Sequence, residues 1–183
     1  GFGEGVSALA SSISGSSNIF YFRGPTTSIN FITAHDGFTM NDLVTYHEKR
    51  NLANEEDNRD GNNTNRSWNV GVEGPSKDPK INQIRQSLQK SMMATLLLSS
   101  GVPMVTMGDE VGRTQHGSNN AFTVPIDLNR DNWNKEIAWF GGWTLDWNPT
   151  ADKKDLQDAF IELIRIRKTY LSDITSEFFT GRV

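Results

Sequence analysis

A histidine and an aspartate stand side by side where an apolar run of the chain ends. The run INFITAHDG covers residues 29–37, and it closes with His35, Asp36 and Gly37. A carboxylate at the end of a strand can stabilise positive charge that develops during a reaction, and a neutral imidazole can donate a hydrogen bond to a substrate hydroxyl. A structural role fits the same pattern, with Asp36 capping a turn at Gly37 and His35 bonding locally. The local pattern leaves both interpretations open.

Two polar stretches contain part of a metal-binding motif. The stretch HEKRN has Asn51 where the two-histidine zinc helix needs its second histidine, which excludes that motif. The oxygen-rich stretch EEDNRDGNNTN, residues 55–65, lacks the spacing and the closing glutamate of an EF-hand. It favours a turn-rich loop whose side chains bond to the backbone, with a calcium-stabilised module as the alternative. We predict no metal site and no cofactor.

Acidic and aromatic residues later in the chain offer two further candidates. Asp109 and Glu110 follow a second apolar run, where either can act in catalysis or pair with an arginine, and we favour the structural pairing. Four tryptophans offer faces on which sugar rings can stack, although local core packing is the favoured interpretation. These are Trp133, Trp139, Trp143 and Trp147.

Composition limits the classes of partner. The 183 residues carry a net charge of −4 and are 36% hydrophobic and 22% charged, which is typical of a globular protein. The basic residues are scattered, so we expect neither nucleic acid nor a membrane as partner. The absence of cysteine excludes disulfides and thiolate sites and gives weak support to the cytoplasmic location that we predict.

Three stretches have the apolar spacing of helices. The first begins at Asp78 and Pro79, a capping carboxylate followed by a proline at the first helical position, and ends before Gly101. Its predicted apolar face contains Ile81, Ile84, Leu88, Met92 and Leu96. A later helix is predicted from Leu156, Phe160, Leu163, Ile164 and Tyr170, with basic residues near its C-terminus at Arg165, Arg167 and Lys168. A short helix before Gly15 is predicted from Val6, Leu9, Ala10 and Ile13.

Each of two apolar runs precedes a long loop and then a helix. Residues 29–34 and 102–107 lack clean alternation, which is typical of strands covered on both faces. The order predicts an α/β fold with two βα units and parallel strands. Residues 37–77 and 108–150 form unusually long loops at the strand ends where α/β proteins bind ligands. Two strands alone cannot enclose a core, so we expect part of a larger architecture, cut within a longer chain.

The motifs resemble the later part of the catalytic barrel of the α-amylase superfamily, specifically bacterial glycogen debranching enzymes and isoamylases. The matching stretches, in order, are NFITAHDGFT, HEKRNLANEEDNRDGNN, SWNVGVEGP, GVPMVTMGDEVGRTQHGSNNA, IELIRIRK and FFTGR. The resemblance implies a partial (β/α)8 TIM barrel, comprising its last two βα units with long active-site loops. Residues 1–172 would be the C-terminal part of the catalytic barrel, and residues 173–183 the start of a C-terminal β domain.

The resemblance also implies roles for three residues. Asp36 matches the family's transition-state-stabilising aspartate, while His35 and Asn120 match residues that contact the substrate. The family reaction is retaining hydrolysis of α-1,6 branch linkages in glycogen-like glucans, and it needs two further carboxyl groups that lie on earlier strands. Because neither of their motifs occurs in this chain, we expect it to be inactive alone. An apparent insertion at residues 123–142 departs from the family pattern.

Two alternatives follow from the missing catalytic groups. The chain can be a catalytically silent glucan-binding or scaffolding protein that keeps only the rim of the barrel. The isolated fragment can also self-associate, because side chains that would face absent strands are left exposed.

Overall fold

The computed structural model describes residues 3–121, 150–171 and 177–179. The chain forms two compact units, each assembled from separate stretches. The first unit combines Gly1–Ile32, Lys90–Val105 and Gln157–Val183, and the second combines Thr33–Gln89 and Thr106–Leu156. The architecture is mixed, with five α-helices and one small sheet in the part of the chain that the structure describes.

The helices dominate the described secondary structure. They are α1 (Gly3–Ile13), α2 (Ser17–Phe20), α3 (Met40–Leu43), α4 (Pro79–Leu98) and α5 (Ala151–Ile166), the last continuing as a π-helical turn, Arg167–Leu171. Short 3-10 turns lie at Pro25–Thr27, Leu52–Asn54 and Asp109–Val111. The three predicted helices are therefore confirmed as α1, α4 and α5. Across the described ranges, none of the helices has the length and apolar character needed to cross a membrane.

The sheet is a parallel pair formed by β1 (Ile29–Asn30) and β2 (Val102–Pro103), in which Ile29 is paired with Val102. The parallel arrangement is confirmed, but the predicted strands at 29–34 and 102–107 are too long. Thr33 and Thr106, which belong to the second unit, contact through their hydroxyls at 3.2 Å. A hydrogen bond between the Thr33 and Thr106 side chains thus replaces the backbone hydrogen bonds that a longer strand pair would make there.

The strands are more exposed than their sequence indicated. Ile29, Phe31 and Val102 are exposed, so the prediction of strands covered on both faces is wrong for this chain. The physical reason is that β1 and β2 are each other's only strand partners among the described residues. The first unit also exposes apolar side chains of α1, of α2 and of the turn after α2, namely Val6, Leu9, Ile19 and Phe22. Self-association of the isolated chain stays a prediction that this surface favours.

Helix α4 begins as predicted but buries a partly different face. The Oδ1 atom of Asp78 accepts a hydrogen bond of 2.8 Å from the Lys80 amide, as an N-terminal cap should. Ile84 is exposed, whereas Arg85 and Gln89 are buried. The Arg85 guanidinium donates to the carbonyls of Gly74, Asn69 and Val72. A charged residue lies on the buried face because it satisfies the carbonyls of a loop, which apolar periodicity does not reveal.

Helix α5 is confirmed, with Leu156 buried, although the predicted apolar residue Tyr170 is exposed. The basic residues near its end act differently from the prediction. Arg167 donates to the Leu97 and Ser99 carbonyls at 2.6 and 2.7 Å, and also to the carbonyl of Gly101. Arg167 therefore satisfies carbonyl groups at the C-terminal end of α4 rather than that of its own helix.

The core of the second unit lies beneath the loop that carries the histidine–aspartate pair. Phe38, Met40, Val44 and Tyr46 are all buried. The rings of Phe38 and Tyr46 lie 6.4 Å apart, and the Arg50 guanidinium stands 5.1 Å from the centre of the Tyr46 ring. Aromatic and cation–π packing thus fixes the chain directly after the candidate site.

Candidate functional site

A single buried carboxylate fixes both ends of the loop that carries His35 and Asp36. The Thr33 hydroxyl donates to one oxygen of Asp109, and the Met40 amide donates to the other at 3.1 Å. Asp109 is fully buried. The loop is therefore held at its start and at its end, while His35 and Asp36 between them face solvent.

His35 and Asp36 form an exposed pair between these two ends. The Nε2 atom of His35 lies 3.2 Å from Oδ2 of Asp36, and the two side chains are 91% and 76% exposed. Such an exposed pair contributes little to stability, because water screens the interaction. Gly37 follows with a φ of 91°, a conformation that glycine adopts without strain. The exposed carboxylate and imidazole are accessible to a ligand.

Asn120 lies on a second segment that meets this loop. The Gly37 amide donates to the Asn119 carbonyl at 2.9 Å, which joins the two segments next to all three predicted site residues. The Asn120 carboxamide donates to Oδ2 of Asp60 at 2.9 Å. The backbone carbonyl of Asn120 accepts from the Asn54 side chain at the same distance. The structure brings together the segments bearing His35, Asp36 and Asn120.

A pair of buried asparagines anchors the second segment. Asn51 donates from its carboxamide to Oδ1 of Asn119 at 2.8 Å, and the Asn119 amide donates back to Oδ1 of Asn51 at 3.0 Å. Asn119 also donates to the Asn62 carbonyl and to Oδ1 of Asn65. Both central side chains are almost completely buried. Sequence reasoning missed this network, and the asparagine-rich stretch after Asn51 was its only signal.

Gly61 makes the close packing of this network possible. A Cβ atom at Gly61 would lie 2.1 Å from Oδ1 of Asn119, far inside any real contact distance. The residue also has a φ of 68°, in the left-handed region. Any other residue at this position would therefore displace the asparagine that leads into Asn120.

The loop at residues 55–65 is held by side-chain and backbone hydrogen bonds. Lys49 donates to the Asp60 carbonyl at 2.6 Å, and Asn54 donates to Oδ2 of Asp60 at 2.7 Å. Burial raises the pKa of Asp60, but hydrogen bonds from Asn54 and Asn120 outweigh it, so the pKa lies below its ordinary value. Within the described ranges, no group of three or more histidine, aspartate or glutamate side chains is placed to hold a metal ion.

A second buried carboxylate, Asp42, fixes the chain before Asn119. It accepts hydrogen bonds from the Thr114 hydroxyl and from the Gln115 amide, the latter at 2.7 Å. Burial raises its pKa to about 6, against the opposing effect of hydrogen bonds from Thr114, Gln115, Gly117 and Thr39. Asp42 thus connects α3 to the segment that continues into the asparagine pair.

Asp109 has the predicted structural position but different partners. We expected an arginine pair, whereas its hydrogen-bond donors are a hydroxyl and a backbone amide. Burial raises the pKa of Asp109, while Thr33, Met40 and the charge of Arg113 lower it. Glu110 instead accepts from the Gly108 amide at 2.8 Å. Because Thr33 and Met40 already donate to Asp109, and Gly108 donates to Glu110, neither carboxylate needs an arginine as a direct donor.

The three carboxylates differ in the chemistry open to them. Asp42 and Asp109 are buried and committed to protein donors, whereas Asp36 is exposed beside an imidazole. An exposed carboxylate can face developing positive charge, and His35 can bond to a hydroxyl. The tryptophan cluster and the insertion at 123–142 lie outside the described residues, as does most of the predicted β domain at 173–183.

Comparison with curated proteins gives several related sequences, whereas no family model matches the chain. The chain is 43% identical to the glycogen operon protein GlgX homolog of Mycobacterium bovis over 175 residues, which cover 94% of this chain and 22% of that protein. It is 45% identical to chloroplastic isoamylase 1 of Arabidopsis thaliana over 130 residues, 70% of this chain and 17% of the relative.

A third relative agrees in name and extent. The glycogen debranching enzyme of Pectobacterium atrosepticum is 43% identical over 166 residues, which cover 90% of this chain and 23% of that enzyme. The chain thus spans only about a fifth of the length of these relatives. By sequence it is homologous to a segment of the glycogen debranching enzymes and isoamylases, and it belongs to that family.

Proposed function

We propose that this chain is part of a glycoside hydrolase that cleaves α-1,6 branch linkages in glycogen-like glucans with retention of configuration. The observation that carries the proposal is the 43% identity to a glycogen operon protein across 94% of the chain. The exposed His35–Asp36 pair supports it, because this carboxylate keeps its access to solvent. The substrate is a branched α-glucan, and the proposed location is the cytoplasm.

Each of the three site residues has a separate proposed role. Asp36 stabilises the positive charge of the oxocarbenium-like transition state. His35 bonds to a hydroxyl of the sugar whose linkage is cleaved, and Asn120 contacts the substrate from the adjoining segment. The hydrogen bond between Gly37 and Asn119 supports this shared role, since it joins the two segments.

The proposed architecture is the last part of a (β/α)8 barrel, with residues 1–172 in the barrel and residues 173–183 beginning a β domain. A complete barrel of this type takes about 250 residues, and the mechanism needs a nucleophile and a general acid roughly 5 Å apart. We place both groups on barrel strands outside the present sequence. The 183-residue chain should therefore hydrolyse nothing by itself.

The test is to incubate the full-length protein with a branched α-glucan and measure the release of linear chains. The anomeric configuration of the first product, followed by NMR, tests retention. We expect linear chains with the α configuration from the full-length protein and none from this chain alone. Glycogen that sediments with the full-length protein without any product would instead support a glucan-binding or scaffolding role. The absence of both product and glycogen binding would refute both functions.

A further inference from the structure

The second unit contains an open cavity of about 590 Å³ that the proposed catalytic role does not use. The first half of α4 forms one wall. The other lining residues come from α3 and the loop after it, from the segment 112–116 and from the start of α5. His35, Asp36 and Asn120 are not among its lining residues. The volume falls within the range of pockets that hold small molecules.

Two buried polar atoms of the lining residues have no hydrogen-bond partner. They are Oε1 of Gln89, an acceptor, and Nε of Arg85, a donor. Both residues are only 5% exposed. A buried polar atom without a partner costs free energy, so such atoms are rare and require a reason. Gly112 also lines the cavity, and a Cβ atom there would lie 3.8 Å from Oε1 of Gln89.

Because one of these atoms is an acceptor and the other a donor, they favour a ligand group that can both donate and accept a hydrogen bond. Arg85 and Gln89 are four residues apart and therefore neighbours on one helix face. A hydroxyl group can donate to the glutamine oxygen and accept from the arginine nitrogen. A cation is disfavoured by the guanidinium, and an anion is disfavoured because the terminal nitrogens of Arg85 already donate to three carbonyls.

The rest of the lining is suited to a neutral ligand. It contains carboxamides and hydroxyls, with charged side chains such as Lys77 and Asp152 exposed. Among the polar lining residues are Asn41, Thr45, Asn82, Gln86 and Thr114. Tyr46 adds an aromatic side chain to this set. Polar side chains beside an aromatic residue are a common way to bind a sugar ring, which has hydroxyl edges and an apolar face.

We propose that this cavity is a second carbohydrate site, which binds one or two glucose units of an α-glucan through Gln89 and Arg85. The choice of a glucan rests on the proposed function, whereas the choice of a neutral, hydroxyl-rich ligand rests on the cavity. The site holds the substrate away from the His35–Asp36 pair, and it would therefore increase affinity for a long glucan without taking part in bond cleavage.

The first test is hydrogen exchange of the full-length, unmodified protein with and without maltose. Binding in the cavity should slow amide exchange in peptides that cover residues 82–89 and 112–116. Because no substitution is involved, the result does not depend on whether a variant folds. Unchanged exchange in both peptides at a saturating maltose concentration would overturn the proposal.

The second test is calorimetric titration of maltose into the Gln89→Met variant. Methionine keeps the length of the side chain but removes the acceptor, so affinity at this site should fall about tenfold. Gln157→Met, the same substitution on α5 outside the cavity lining, should bind like the unmodified protein. Unchanged affinity in a folded Gln89→Met variant would contradict the role of Gln89.

The two proposals fail in distinguishable ways. If maltose slows exchange at the cavity but the full-length protein releases no linear chains from a branched glucan, the second carbohydrate site is supported and the debranching function is refuted. Debranching without protection of residues 82–89 and 112–116 would leave the proposed function intact and refute the second site. Protection that disappears in Asp36→Asn but persists in Gln89→Met would assign all maltose binding to the first site and overturn this inference.

Discussion

Asp36 and Asp42 are six residues apart and occupy opposite environments. The Asp36 side chain is 76% exposed and its close partner is His35, whereas Asp42 is fully buried and accepts from Thr114 and Gln115. The comparison shows that residue type near a strand end does not identify a ligand-binding carboxylate. What distinguishes the two is whether protein donors already occupy the oxygens.

The buried carboxylate explains how the exposed one can be placed without support of its own. Asp42 holds the segment that leads to Asn119, and Asn119 accepts from Gly37, directly after Asp36. Asp109 holds the other side of the loop through Thr33 and Met40. The buried carboxylates fix the backbone on both sides of Asp36, so its side chain can remain exposed.

The largest expected effect is on catalysis and comes from Asp36→Asn in the full-length protein. The substitution removes the negative charge that would face the transition state, so turnover of a branched glucan should fall about a thousandfold. The Michaelis constant should change much less. Steady-state kinetics give both values, and a melting temperature equal to that of the unmodified protein is the control. Unchanged turnover would remove Asp36 from the mechanism.

The next largest effect is on stability and comes from Asn119→Ala. The substitution removes three side-chain hydrogen bonds and leaves the buried carboxamide of Asn51 with the Asp60 carbonyl as its remaining acceptor. The free energy of unfolding should decrease by about 3 kcal/mol. Denaturant unfolding measures the change, and Asn63→Ala, at an exposed asparagine of the same stretch, is the matched control. Equal decreases in the free energy of unfolding for the two variants would show that the hydrogen bonds of Asn119 add no stability beyond that of an exposed asparagine.

A third prediction concerns the pH dependence of Asp42. Its pKa is about 6 in the folded protein, whereas the ordinary value of 3.8 applies to the unfolded chain. Between pH 3.8 and pH 6 the folded protein therefore binds more protons than the unfolded chain. The stabilisation from this group is complete below pH 3.8 and is lost as the pH rises through 6. Its contribution should fall by about 2.5 kcal/mol between pH 4 and pH 7.

Asp42→Asn isolates that contribution from the other titrating groups. The free-energy difference between the unmodified protein and the variant should be largest near pH 4 and shrink as the pH rises to 7. Denaturant unfolding across this range measures it. A difference that grows with pH would mean that the folded protein prefers the ionised form of Asp42.

The smallest expected effect is that of metal removal. The loop at residues 55–65 is held by Lys49 and by asparagine side chains, so a chelator should change the melting temperature by less than about 1 °C. Differential scanning calorimetry with and without the chelator measures this. A large decrease that calcium reverses would favour the calcium-stabilised alternative for this loop.

The sequence predicted the elements better than their surfaces. The helix starting at Asp78 and the parallel pairing of the two apolar runs are confirmed, because capping and apolar spacing are local signals. The buried Arg85 was missed, since its partners are loop carbonyls that no periodicity reveals. Strand length and coverage were overestimated, because both depend on neighbouring strands rather than on the run itself.

The candidate site was predictable in part. His35 and Asp36 were proposed because a charged pair interrupts an apolar run, and Asn120 was proposed through the family resemblance; their roles stay predictions. The asparagine pair that supports them was not found, because its members are 68 residues apart and carry no charge. Long-range contacts between neutral amides leave almost no pattern in a single sequence.

The most direct test of the division between exposed and buried carboxylates is to measure turnover and melting temperature together for Asp36→Asn and Asp42→Asn in the full-length protein. Asp36→Asn should lose turnover and keep its melting temperature. Asp42→Asn should have a lower melting temperature at pH 4, where its difference from the unmodified protein is largest, because an amide group cannot accept from all the donors around Asp42. The folded variant should keep measurable turnover at neutral pH. The reverse pattern, with Asp36 controlling stability and Asp42 controlling turnover, would contradict the account.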